Sequence, residues 1–82
     1  MTPQQAEAAI KETLAQVAPD ADTDALAPDA DLRETLELDS IDFLRYIEIL
    51  SKRTGSRIDE DDYPQLDTLA SAVTFLTGHV SR

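Results

Sequence analysis

Apolar residues recur at every third or fourth position in three separate stretches of this chain, and this spacing limits its possible folds more than any other feature of the sequence. Residues at such intervals lie along one side of an α-helix. The first stretch contributes Ala6, Ala9, Ile10, Thr13, Leu14 and Val17. The second contributes Phe43, Leu44, Tyr46, Ile47 and Leu50, and the third contributes Leu69, Ala72, Val73, Leu76 and Val80. The pattern predicts three amphipathic helices that pack their apolar sides together.

Residues that favour helix ends flank these stretches. Thr2 and Gln5 have the spacing of a capping box at the start of the first helix. Gly55 suits the left-handed position that follows the end of the second. Residues 59–62 predict a short helical turn, which we expect Pro64 to end. The predicted fold is all-α: residues 1–82 form a single domain, a small up-down four-helix bundle with three main helices and one short one.

Composition excludes several classes of function. With no cysteine among its 82 residues, the chain has no disulfide, no thiolate nucleophile and no cysteine-bound metal. A chain of this length buries only about 60% of its unfolded surface, which leaves little room for an enzyme pocket. No stretch is apolar for long enough to cross a membrane, and the N-terminus lacks the pattern of a signal peptide. We therefore expect a cytoplasmic protein.

The charge of the chain is strongly negative. Seventeen acidic residues against seven basic ones give a net charge of −10, which disfavours binding to nucleic acid or to anionic membranes. The imbalance is uneven along the chain, because residues 40–58 contain four basic and two acidic residues. Basic partners are favoured overall, and the second predicted helix is the least acidic part.

A long acidic connection separates the first two helices. Residues 19–39 contain two prolines, and their apolar residues follow no long periodic pattern, which predicts a loop. Four leucines at intervals indicate that the loop is held against the core: Leu26, Leu32, Leu36 and Leu38. The four-residue step from Leu32 to Leu36 fits one helical turn.

The same loop partly imitates a calcium-binding EF-hand. Asp20, Asp22 and Asp24 alternate like the first three ligands of such a loop. Ala25 occupies the sixth position, where an EF-hand requires glycine, and Asp31 occupies the twelfth, where it requires a bidentate glutamate. We therefore predict no metal site, and a calcium-binding domain remains a remote alternative.

Ser40 stands between two acids at the start of the second predicted helix. A serine nucleophile needs a nearby base, and the single histidine, His79, lies close to the C-terminus. Ser40 could simply cap the helix, but Asp39 is an equally good cap. If Asp39 is the cap, Asp42 falls at the third helical position. Ser40 is then the first helical residue, with its hydroxyl free to point outward.

The motif Leu38-Asp39-Ser40-Ile41-Asp42, placed at a helix start after a long acidic loop, resembles the acyl carrier protein family. The resemblance covers nearly the whole chain. It implies that Ser40 bears 4′-phosphopantetheine, donated by coenzyme A, and that Asp39 assists this modification. A separate phosphopantetheinyl transferase then supplies the catalysis, so the chain itself is a carrier and not an enzyme.

The resemblance also implies roles for the residues around Ser40. Ile41, an apolar residue on the exposed side of the helix, and Asp42, Arg45 and Glu48 are expected to contact the transferase and the enzymes that load and process the acyl group. Five residues are expected to form the core or to line a space for the acyl chain: Phe43, Tyr46, Ile47, Leu50 and Leu69. We expect a monomer, because nearly every apolar residue has a partner within the domain.

The second helix departs from the family pattern, since its basic residues offset its acids. This difference favours a specialised lipid, polyketide or other secondary-metabolite pathway over housekeeping fatty acid synthesis. A peptidyl or aminoacyl carrier is an alternative with the same arm chemistry. An unmodified acidic helical adaptor, in which Ser40 only caps the helix, is a more distant one.

Overall fold

The computed structural model describes residues 1–80, and for residues 79 and 80 it describes the backbone only. Its main elements are α1 (Pro3–Val17), the single turn α2 (Leu32–Thr35), α3 (Ser40–Thr54), a 3-10 segment (Glu60–Leu66) and α4 (Leu69–Val80); a 3-10 turn, Thr23–Ala25, interrupts the long loop. No strand is present within residues 1–80, where one isolated bridge pairs Asp31 with Thr68. The all-α prediction of three main helices and a short one is confirmed.

The core lies where α1 packs against both α3 and α4, and the 3-10 segment closes it from the side of α4. Every predicted core residue of α1 is buried, from Ala6 to Val17. The five residues expected to form the core or an acyl space are also buried: Phe43, Tyr46, Ile47, Leu50 and Leu69. None of the helices within the described part of the chain is long and apolar enough to cross a membrane.

The start of α1 and the end of α3 are as the sequence predicts. Thr2 Oγ1 accepts a hydrogen bond from the Gln5 N–H at 3.1 Å, and the Gln5 side chain accepts one from the Thr2 N–H at 3.0 Å. Gly55 ends α3 with a φ of 71°, a left-handed conformation that glycine adopts without a Cβ clash. At the start of α4, the Ser71 N–H donates to Thr68 Oγ1 at 3.1 Å.

The loop between α1 and α3 is fixed to the start of α4. The Leu32 N–H donates to the Asp67 carbonyl at 2.7 Å, and the Ala70 N–H donates to the Pro28 carbonyl at 2.9 Å. Three of its four leucines are buried and Leu36 is partly buried against the core. The loop is therefore part of the packed structure, as its leucines predicted, and α2 supplies the expected helical turn.

Pro64 does not end the short helix, contrary to the sequence-based expectation. It lies inside the 3-10 segment Glu60–Leu66. A 3-10 helix bonds each N–H to the third preceding carbonyl, so one proline removes only one such bond. Burial of Leu66, which is fully inaccessible, compensates for that loss.

Two apolar residues differ from the predicted pattern. Leu44, expected on the core side of α3, is 45% exposed. At about 100° per residue it lies at the edge of the stripe centred on Phe43 and Leu50, where α3 meets solvent. Phe75, which the spacing of the third stretch did not include, is buried. Because α4 packs against both α1 and the 3-10 segment, more than one side of it is covered. The side chain of Val80, the last predicted member of that stretch, lies outside the described residues, as does that of His79.

Candidate functional site

Ser40 is the first residue of α3, and its side chain is exposed. The cap of the helix is Asp39, whose Oδ1 accepts a hydrogen bond from the Asp42 N–H at 2.8 Å. Asp39 has extended backbone angles, as a residue at this position should. The Ser40 hydroxyl is therefore not used as a cap, and it faces solvent at the positive end of a 15-residue helix.

Arg33 of α2 is in contact with this hydroxyl, although the sequence did not predict it as a site residue. Its Nη2 lies 3.5 Å from Ser40 Oγ, a long hydrogen bond in which the guanidinium donates. The guanidinium carbon lies 5.2 Å from the centre of the Phe43 ring, within the range of a cation–π contact. One signal was available in the sequence: Arg33 is the sole basic residue between residues 12 and 39.

Ser40 and Arg33 border an open groove of about 360 Å³ between α3 and the 3-10 segment. Its other lining residues are Phe43, Leu44, Tyr63, Pro64 and Asp67. Phe43 and Tyr63 meet edge to face with ring centres 6.0 Å apart, which favours a fixed aromatic wall. The groove thus offers a hydroxyl and a cation at one end and an apolar surface beside them.

Asp67 places an acid in the same groove. Partial burial and the negative charge of Asp31 raise the pKa of the Asp67 carboxyl, while the Arg33 guanidinium lowers it.

Burial, with a smaller effect of Asp67, also raises the pKa of the Tyr46 phenol, so this hydroxyl stays protonated. It donates to the Leu66 carbonyl at 3.5 Å.

The turn that carries Arg33 is closed by a strained residue. Glu37 has a φ of 55°, the one positive φ of a non-glycine residue in the described part of the chain. The Leu38 N–H donates to the Arg33 carbonyl at 2.9 Å, the bond that closes a Schellman motif around a left-handed residue. At this position the left-handed conformation is sterically unfavourable for glutamate, because of its Cβ atom, and would not be for glycine.

We expect Glu37→Gly to raise the free energy of unfolding by about 0.5–1 kcal/mol, because relief of the left-handed strain exceeds the added entropy of the unfolded chain. Urea denaturation followed by circular dichroism measures the change. The matched control is Glu34→Gly, which removes the same charge from within α2 and should lower the free energy of unfolding by about 1 kcal/mol. Destabilisation by both variants would contradict the prediction.

The residues predicted to contact partners share one side of α3. Ile41 is 69% exposed, as expected from its position opposite the core. Arg45 and Glu48 are exposed on the following turns, and Leu44 joins them as the second exposed large apolar residue. Asp42 is half-buried, with its N–H bonded to Asp39. The arrangement is a narrow apolar strip with charges of both signs beside it.

The predicted core or acyl-lining residues are packed within one cluster. Tyr46 and Leu50 are fully inaccessible, and the rings of Phe43 and Tyr46 are 5.7 Å apart. Phe43 alone of the five also lines the groove beside Ser40. Among the described residues, no group of three or more acids or histidines is arranged to hold a metal ion, and this includes the acidic residues of the EF-hand-like loop.

Comparison with known proteins identifies the family of this arrangement. The family model described as a phosphopantetheine attachment site matches residues 8–76. The acyl carrier protein of Lactobacillus johnsonii is 33% identical over 58 residues, which cover 71% of this chain and 72% of that protein. The matched residues include most of α1 and of α4, all of α3, and Ser40 at its first position. The chain therefore belongs to the acyl carrier protein family, whose prosthetic group is 4′-phosphopantetheine.

Proposed function

We propose that this protein carries acyl intermediates as thioesters on a 4′-phosphopantetheine arm attached to Ser40, and that it presents them to the enzymes of a specialised lipid or secondary-metabolite pathway. The observation that carries this proposal is the position of the Ser40 hydroxyl: exposed, first in its helix, and released from capping by Asp39. A peptidyl or aminoacyl carrier uses the same arm, and only the cargo distinguishes the two.

The residues around Ser40 fit a phosphate ester on that oxygen. The amide groups of the first turn of α3 and its dipole favour negative charge. Arg33 adds a guanidinium 3.5 Å from the hydroxyl oxygen. Phe43, Leu44, Tyr63 and Pro64 provide an apolar wall in the adjoining groove. Asp39 and Asp42 oppose the phosphate, which favours an arm that leads away from them.

In the attachment reaction, Ser40 Oγ would attack the phosphorus of coenzyme A that bears the pantetheine. The new Oγ–P bond replaces the bond to the leaving group, adenosine 3′,5′-bisphosphate, and the transferase accepts the serine proton. Within the chain, Asp39 holds the first turn of α3 so that Oγ stays accessible. The bound group supplies a thiol, which the cysteine-free chain lacks.

Contacts with the transferase and with acyl-processing enzymes are assigned to the exposed strip on α3. Ile41 and Leu44 supply apolar area next to Ser40, and Arg45 and Glu48 supply charges of opposite sign. Residues 40–58 contain more bases than acids, unlike the rest of the chain. This local balance supports partners other than enzymes that bind a uniformly acidic helix, and hence a specialised pathway.

Loading of the unmodified protein tests the proposal. After incubation with coenzyme A and a broad-specificity phosphopantetheinyl transferase, intact mass should rise by one phosphopantetheine. A thiol reagent should then find one thiol per chain where the unmodified protein has none. Acyl-coenzyme A and aminoacyl-coenzyme A, supplied in place of coenzyme A, give defined loaded forms for assays with candidate enzymes. A mass that never changes would contradict the carrier function.

A further inference from the structure

We propose that Arg33 binds the phosphodiester at the root of the arm and directs the arm along the groove that Phe43 and Tyr63 border. This inference rests on the proposed attachment at Ser40. It adds a binding residue from outside the serine motif, contributed by a different helix, and it gives the start of the arm a defined direction.

The geometry already brings the two groups together. The non-bridging oxygens of a phosphodiester on Ser40 are carried by the phosphorus bonded to Oγ. A donor that lies 3.5 Å from Oγ can therefore reach one of them with a small side-chain movement. The planar guanidinium has five N–H donors and suits phosphate oxygens better than a lysine does.

Arg33 is held in place for this contact. The ring of Phe43 lies beneath its guanidinium at 5.2 Å, and Leu32, the preceding residue, is fully buried. The Leu38 N–H bonds the Arg33 carbonyl and so fixes its backbone. A side chain held at both its base and its head loses little conformational entropy on binding an anion.

The charge of Arg33 is not committed to a carboxylate. The ion pairs among the described side chains are Lys11–Glu7, Arg53–Glu12 and Arg57–Asp59, and Arg33 is in none of them. Asp67, which lines the same groove, forms no salt bridge with Arg33, although the charge of Arg33 acts to lower the pKa of the Asp67 carboxyl. With Asp39 and Asp42 opposing the phosphate on the other side of Ser40, Arg33 provides the local cation that compensates for it.

Thermal unfolding and ³¹P NMR of the modified protein test this role. Modification should raise the melting temperature of the unmutated protein by about 4 °C more than it raises that of Arg33→Gln. This difference is the shift expected for one added charge-assisted contact in a domain of this size. The ³¹P resonance should differ between the two modified proteins, and added salt should reduce the difference.

The matched control is Arg57→Gln, which removes the same charge from an exposed residue beyond the far end of α3. It should keep the ³¹P shift and the gain in melting temperature of the unmutated protein. If all three proteins accept the arm, as judged by mass, and Arg33→Gln matches Arg57→Gln in both readouts, the role of Arg33 is overturned while the carrier function stands. Failure of the unmutated protein to accept the arm would instead reject the carrier function.

A measurement without substitution covers the case in which Arg33→Gln does not fold. The side-chain N–H resonance of Arg33 in ¹⁵N-labelled protein should shift when the arm is attached, whereas that of Arg57 should not. An Arg33 resonance that is unchanged by modification contradicts the proposal.

Discussion

Ser40→Ala is expected to abolish incorporation of phosphopantetheine completely, with no mass increase after incubation with coenzyme A and a transferase that modifies the unmutated protein. The physical reason is that the ester bond requires the hydroxyl oxygen itself. Alanine at the first position of α3 keeps the helix and its cap but removes the single atom to which the arm would be joined. Intact-mass measurement of the two proteins, treated in parallel, gives the result.

The control for this loss is Ser51→Ala, a serine of the same helix. Its hydroxyl donates to the Ser56 carbonyl at 2.6 Å, so its removal costs about 1 kcal/mol of stability. It leaves the first turn of α3 intact, and incorporation should continue at the unmutated level. Incorporation into Ser40→Ala would place the arm on another side chain and refute the assignment to Ser40.

The stability of the same variant separates a carrier from an adaptor in which Ser40 only caps α3. Because the Asp42 N–H bonds the side chain of Asp39, we expect Ser40→Ala to change the free energy of unfolding by less than about 0.5 kcal/mol. Asp39→Ala should cost about 1 kcal/mol, since it removes the cap. The reverse order of these two effects would support the capping role for Ser40.

Local features of the sequence were enough to predict the three main helices and most of the core. The six core residues of α1 recur at helical spacing along one stripe, and a capping box with a proline at the first helical position marks its start. The first-turn position of Ser40 was also predictable, because Asp39 and Asp42 have the spacing of a cap and its third helical residue.

Features that depend on contacts between distant segments could not be predicted in the same way. Phe75 is buried because two neighbours cover α4, and the 3-10 segment keeps Pro64 because Leu66 packs into the core. Arg33 reaches Ser40 because backbone hydrogen bonds to the start of α4 hold the loop in place. The groove joins three segments of the chain, so no single local pattern indicates it.

The anchoring of the loop between α1 and α3 leads to a second large expected effect. Leu32→Ala should lower the free energy of unfolding by about 2–5 kcal/mol, the cost of a cavity left by a fully buried leucine. The same truncation of a leucine in a solvated loop would lower the free energy of unfolding by about 0.5 kcal/mol or less. Since a domain of this size has a total stability of about 4–12 kcal/mol, the loss is a large share of it. Urea denaturation followed by circular dichroism measures it.

Two further variants make the result specific to burial. Leu32→Met keeps the volume of the side chain and should cost less than about 1.5 kcal/mol, whereas Leu36→Ala, in a half-buried side chain of the same loop, should cost about 1 kcal/mol. Equal losses for Leu32→Ala and Leu36→Ala would show that the loop is not anchored at Leu32. An anchored loop has a direct consequence for the site, because the backbone that buries Leu32 also sets the position of Arg33 beside Ser40.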